Sequence, residues 1–125
     1  MQQPWKQPVR VLIADDCDST RLGLRTVLSL DPGIEVIGEA ANGQEAVQLT
    51  AEVQPDVVLI DGKMPIMDGL EATRLIKRLW PGIKVIVLTM SAMYQAGAIA
   101  AGADACLLKD GRSIDVLCNA ILEPS

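Results

Sequence analysis

Residues 57–69, VVLIDGKMPIMDG, restrict the fold of this chain more than any other stretch. Four consecutive apolar residues, Val57 to Ile60, are too few to span a membrane and lack helical spacing, so they read as a strand covered on both faces. Such strands belong to parallel sheets. This one ends on a carboxylate, Asp61, followed by Gly62, Met64-Pro65 and Asp68-Gly69, a loop with little freedom that closes on Asp68 as a helix N-cap. The carboxyl edge of a central strand is where open α/β sheets hold ligands. Asp61 therefore stands where chemistry is expected, although taken alone it is equally well a loop cap.

The same pattern, an apolar strand closed by a polar residue, recurs along the chain. Val9 to Ala14 runs into Asp15-Asp16, Lys84 to Leu88 ends at Thr89, and Ala105 to Leu108 leads to Lys109. Ile34 to Ala40 alternates instead, as an edge strand with one wet face does. Between them lie segments of helical spacing. Ser19 to Ser29 turns Leu24, Val27 and Leu28 to one side, and a helix capped by Asn42 does so with Ala46, Leu49, Thr50 and Val53. The helix after Asp68 carries Ala72, Leu75, Ile76 and Leu79 inward and stops at Pro81-Gly82. Two more cover Tyr94 to Ala101 and Ser113 to Ile121, the last burying Ile114, Leu117, Cys118 and Ile121. Five strands alternating with five helices predict right-handed crossovers and one parallel sheet covered on both sides. Residues 9–122 form that single domain, with 1–8 a flexible lead-in and 123–125 a tail or the start of a linker.

Composition narrows the function. Half of the 125 residues are hydrophobic, yet no apolar run reaches membrane-spanning length, so a soluble protein is expected. A net charge of -5 with no basic run argues against a domain that grips nucleic acid itself. Histidine is absent, which removes Ser-His-Asp triads, the usual zinc sites and any phosphohistidine within the chain. Cys17, Cys106 and Cys118 follow no CxxC spacing and are expected to be buried free thiols in a reducing cytoplasm.

In a parallel sheet the strand ends share one edge, so Asp15, Asp16, Asp61, Thr89 and Lys109 converge there. Three carboxylates so close repel one another unless a cation sits among them. Oxygen ligands favour a hard ion, and Mg2+ fits a small set of carboxylates better than Ca2+, which takes more ligands. Lys109 supplies a mobile positive charge and Thr89 a hydroxyl. Aspartate can carry a phosphoryl group as an acyl phosphate, and Asp61, on the central strand between the acidic pair and Lys109, is the nucleophile of choice.

The Asp15-Asp16 pair, the run Asp61-x-x-Met64-Pro65-x-Met67-Asp68-Gly69, the Thr89 ending of VIVLT and Lys109 in GADACLLKD together resemble the receiver domain of two-component response regulators. The resemblance covers Val9 to Ile121 and implies the flavodoxin-like, CheY-like order 2-1-3-4-5. It further implies that Asp61 accepts a phosphoryl group from a phosphohistidine on a sensor histidine kinase. Asp16, Asp61 and the backbone carbonyl of Lys63 would bind Mg2+ directly, Asp15 would do so through water, and Thr89 and Lys109 would contact the phosphoryl group. VIGEAANGQEAV and MDGLEATRLIK look like receivers joined to LuxR/NarL-type helix-turn-helix domains, so DNA contact is expected only through such a domain, which lies outside this sequence.

Two departures from the family pattern bear on switching. Receivers usually carry Tyr or Phe in the last strand, where this chain has Cys106, and Thr89 to Lys109 is about two residues short by that resemblance. Met90 is bulkier than the usual small residue and is expected to narrow access to Asp61. Met90 to Ala103 carries no charge, which reads either as a deeply packed short helix or as a contact surface on the face of helix four, strand five and helix five, where the family dimerises. Three functions remain open: a phosphorylation-controlled switch, a small magnesium phosphohydrolase, which would lack a second Asp at D-x-D spacing after Asp61, and a binding module whose acidic site is vestigial.

Overall fold

The computed structural model describes residues 7–109 and 114–124, so most of the lead-in and Ser113 lie outside the described residues. Strands and helices alternate: β1 (Val9–Ala14), α1 (Asp18–Leu28), β2 (Ile34–Ala40), α2 (Gly43–Val53), β3 (Val57–Asp61), α3 (Gly69–Leu79), β4 (Lys84–Thr89), α4 (Gln95–Ala100), β5 (Ala105–Leu108) and α5 (Ile114–Leu122). All strand pairs are parallel and the order is β2-β1-β3-β4-β5, as the sequence predicts.

Strand alternation divides the core between the two faces of the sheet. Leu12, Val58, Ile60, Val85 and Val87 pack against Ala46 of α2, Ala72 and Ile76 of α3, and Ala98 of α4. On the other face Val11, Ile13, Leu59 and Ile86 meet Leu28 of α1 and Leu117 and Ile121 of α5. Each fully buried aliphatic side chain contributes about 1.5–3 kcal/mol. One irregularity matters later. Val11 pairs with Val36 but Leu12 pairs with Gly38, so Ile37 is an extra residue in β2 and the alternation of that strand reverses after it.

The helix ends are closed by side chains that the sequence offers at the right offsets. Asn42 accepts from the Glu45 N–H (2.9 Å) and Asp68 from the Glu71 N–H (2.8 Å), the two N-caps expected. Arg10 donates its fork to the carbonyls of Val53 and Gln54 at the end of α2 (2.7 Å each). Lys84 is buried at the start of β4 because its ammonium donates to the carbonyls of Ala120 (2.8 Å) and Glu123 at the end of α5. Among the described residues no buried side-chain nitrogen or oxygen lacks a partner.

Two expectations fail, and one of two open readings falls away. Leu79 is exposed in the last turn of α3, and Trp80 packs against the core instead. The uncharged stretch is not deeply packed: α4 is six residues long behind a 3-10 turn at Ala92–Tyr94, and Met93 and Ile99 face solvent. Cys17 is exposed, because it sits at the N-cap of α1, just beyond the sheet, rather than in a strand.

Two glycines test these packing relations with opposite signs. A Cβ on Gly69 would lie 1.9 Å from the Asp61 carbonyl oxygen, whereas one on Gly23, inside α1, meets nothing within 4 Å. Gly69→Ala is expected to cost roughly 1–3 kcal/mol or more by overpacking, and Gly23→Ala to add about 0.5–1 kcal/mol of helix stability. Urea unfolding of both variants checks the pair.

Candidate functional site

The carboxyl edge of the sheet assembles the site from strand ends. The last paired residues of β1 and β3 are Ala14 and Ile60, so Asp15 and Asp61 follow side by side. The Asp15 N–H still joins the sheet through the Ala40 carbonyl (3.0 Å). Across the sheet, Thr89 ends β4, and its carbonyl accepts from the Lys109 N–H (2.8 Å), which brings the residue after β5 to the same rim. One oxygen each of Asp15, Asp16 and Asp61 lies within 4.8 Å of the others.

Lys109 bridges two of these carboxylates. Its Nζ stands 2.6 Å from Asp15 Oδ2 and 3.3 Å from Asp61 Oδ1. The other oxygen of Asp15, Oδ1, accepts from the Cys17 N–H (2.9 Å). Asp15 is only 2% exposed and has a partner on each oxygen, whereas Asp16 is exposed. The Thr89 hydroxyl is committed locally: it donates to the Ser91 carbonyl (3.2 Å) and accepts from the Ser91 N–H (3.3 Å). Lys63 is exposed two residues beyond Asp61. Met90 is 78% exposed and lines a cleft with Thr20, Leu24 and Lys109.

The loop after Asp61 is fixed from several sides. Gly62 donates to the Leu88 carbonyl (3.0 Å), Gly69 to that of Gly62 (3.0 Å), and Gly43 to that of Met67 (2.9 Å). Both Gly43 and Gly69 permit backbone approaches that any Cβ would block. Within the loop, Met67 donates to the Pro65 carbonyl (2.7 Å) across Ile66, which is held at φ 70°. That three-residue turn is rare and strained, and a β-branched residue is an unusual occupant.

Burial pushes the Asp61 carboxyl above its ordinary value and the Asp15 charge adds to the push, while Lys109 opposes it. The net direction is upward because burial outweighs the Lys109 ammonium, which stands 3.3 Å from Asp61 and 2.6 Å from Asp15. Burial alone would lower the Lys109 ammonium, but its pairing with Asp15 and then Asp61 outweighs that and raises it. The Cys17 thiol, bonded to the hydroxyl of Ser19, is lowered to about 7.

Sequence reasoning missed Arg21 and Glu39. Arg21 Nε donates to Glu39 Oε1 (3.2 Å), and its other nitrogens reach the Asp15 carbonyl and the Asp18 carboxylate. The available signal was an arginine one turn into the helix that follows the acidic pair.

A raised Asp61 pKa means that the folded chain holds this proton more tightly than the unfolded chain. The stability gained is complete below the ordinary carboxylate range and is lost as pH rises through the raised value. Without divalent cations, Asp61→Asn is therefore expected to be more stable than the parent at pH 7, the gain fading as pH falls through the raised value and gone below about 4. Urea unfolding across that range checks it, and a variant less stable at neutral pH contradicts it.

The comparisons with known proteins bear on the whole domain. Residues 11–122 match the family of the response regulator receiver domain. The transcriptional regulatory protein LiaR of Bacillus subtilis is 44% identical over 112 residues, which are 86% of this chain and 52% of that protein. The chain thus spans about half the length of the curated relatives it matches. The receiver domain of the regulator NarL from Mycobacterium tuberculosis superimposes with a TM-score of 0.84 at 29% identity, over 93% of this chain and 98% of that one. CheY of Borrelia burgdorferi, crystallised with CheX, BeF3 and Mg2+, gives 0.83 at 27% identity, over 92% and 88% of the two chains. With its five parallel strands in the order 2-1-3-4-5 and this match along nearly its full length, the chain belongs to the receiver domains of two-component response regulators.

Proposed function

We propose that Asp61 is the phosphoacceptor of this receiver and takes its phosphoryl group from a phosphohistidine on a partner sensor kinase. The observation that carries this reading is Asp61 at the end of β3, its side chain 12% exposed, with the Lys109 ammonium 3.3 Å away and carboxylate oxygens of Asp15 and Asp16 within 4.8 Å. A carboxylate oxygen of Asp61 attacks phosphorus, the P–N bond breaks, and its electron pair returns to the imidazole, which stays with the kinase. Lys109 then follows the new charge, and Thr89 exchanges its bonds to Ser91 for a phosphoryl oxygen.

Asp16 and Asp61, whose carboxylate oxygens lie within 4.8 Å of each other, would with the Lys63 carbonyl be the direct donors for Mg2+, a small all-oxygen set of the kind that ion accepts while keeping waters. Asp15, with both oxygens already engaged, suits a water-bridged role. When bound, Mg2+ neutralises charge on the transferring oxygens. The Borrelia CheY crystallised with BeF3 and Mg2+ supports Mg2+ as the ion.

The output is a surface equilibrium. Ile99, Leu108, Val116 and Leu122 are exposed on α4, β5 and α5, a face suited to pairing two receivers once Asp61 carries roughly -1.5 to -2 additional charge. Transcriptional control through a helix-turn-helix domain fits relatives about twice as long. No helix among the described residues is long and apolar enough to cross a membrane, and a cytoplasmic site of action follows from a kinase donor.

Incubation with acetyl phosphate and Mg2+ is expected to add one alkali-labile phosphoryl group to the parent and none to Asp61→Asn, read by intact mass. Beryllofluoride with Mg2+ is expected to shift the parent toward dimer in sedimentation, and Leu108→Glu to prevent the shift. Sustained turnover of phosphorylated metabolites would point to a phosphohydrolase instead. No adduct, together with an oligomeric state indifferent to beryllofluoride, would point to a vestigial site.

A further inference from the structure

Beyond Asp15 the β1 ladder has ended, and the next peptide, which carries Asp16, has no strand partner to orient it. Its carbonyl, that of Asp15, is instead taken by Arg21. The Arg21 side chain is only 15% exposed, and its guanidinium is aimed by two carboxylates: Nε meets Glu39 Oε1 at 3.2 Å, and Nη2 meets Asp18. Glu39 is in turn shared with Arg25, whose Nη1 lies 2.7 Å from Oε2. Glu39 can do this only because of the extra residue in β2. Ile34 and Val36 face α1, and strict alternation would turn residue 39 to the opposite face, but the insertion at Ile37 puts Glu39 in register with Ile13, on the α1 side.

From this chain we infer that Arg21 is a positioning residue for the metal site: it fixes the Asp15–Asp16 peptide and so holds Asp16 in the ligating arrangement. The planar fork of an arginine spreads its donors over three nitrogens in fixed directions, so a carbonyl and two carboxylates set apart from one another are met at once, whereas the donors of a lysine radiate from a single atom. Glu39 and Asp18 balance the charge of Arg21, so this cation orients the acidic pair without competing with a metal for it. The inference rests on the proposed Mg2+ site.

Titration calorimetry with Mg2+ tests both separately. The parent is expected to bind, and a parent that does not would remove the proposed site and this inference with it. Arg21→Lys is expected to weaken binding by about tenfold, as loss of a ligand-orienting partner does. Arg25→Lys, which disturbs the same Glu39 without touching Asp15, is expected to change it less than about twofold. Acetyl phosphate labelling of Arg21→Lys should be slow at low Mg2+ and return to the parental rate at saturation, a recovery that a general folding defect would not give. Should Arg21→Lys fail to fold, Glu39→Gln, which loosens the aim of the guanidinium, reads the same affinity and is expected to weaken it. Equal affinities for the parent and the variant tested, or equal losses in Arg21→Lys and Arg25→Lys, would overturn the inference.

Discussion

The arrangement depends on one ammonium group between two carboxylates. Asp15 is almost wholly buried and Asp61 nearly so, and neither charge is bearable there without a counter-ion. Lys109 provides it, arriving from the far end of the sequence along the last strand. Removing one partner of a buried ion pair typically costs about 3–5 kcal/mol because the other is left uncompensated. The site therefore contributes to folding as well as to chemistry. Its one poorly matched member, Asp61, is the residue with most to gain from a further cation.

Sheet geometry makes this convergence inexpensive in chain length. Parallel pairing puts every carboxyl end on one rim, so a residue just past each strand reaches the same crevice without a dedicated loop. The opposite rim does structural work with similar chemistry. There Lys84 closes the end of α5, while Lys77 and the Val85 N–H meet the Asp104 carboxylate at 2.9 and 2.8 Å. At that rim the ion pairs close helix and strand ends, whereas at the carboxyl rim Lys109 gathers two carboxylates around one point and Asp16 stands exposed beside them.

How much of this could be read from the sequence follows from the range of each interaction. Strands buried on both faces announce themselves as runs such as VVLI and VIVL, and caps such as Asn42 and Asp68 act within one helical turn, so both were readable. The gathering of Asp15, Asp16, Asp61 and Lys109 was readable too, because topology alone imposes it. Glu39 and Arg21 were not, since a single inserted residue reverses which side of β2 faces α1, and composition carries no trace of such an insertion. Leu79 and Cys17 were misplaced for a related reason: helical spacing fixes a direction, but it does not say where the sheet beneath ends. The local bonds between the Thr89 hydroxyl and Ser91 were not readable either, since the side-chain rotamer that allows them leaves no mark in the sequence.

The turn at Ile66 bears on how the rim responds to what it binds. A branched residue at φ 70° stays there only because the hydrogen bonds of Gly43, Gly62 and Gly69 surround the loop and leave it no alternative. The chain following Asp61 has thus lost its conformational freedom during folding, and a ligand arriving there meets a rigid wall instead of a closing flap. Affinity at such a rim reports charge balance and dehydration rather than the cost of ordering backbone.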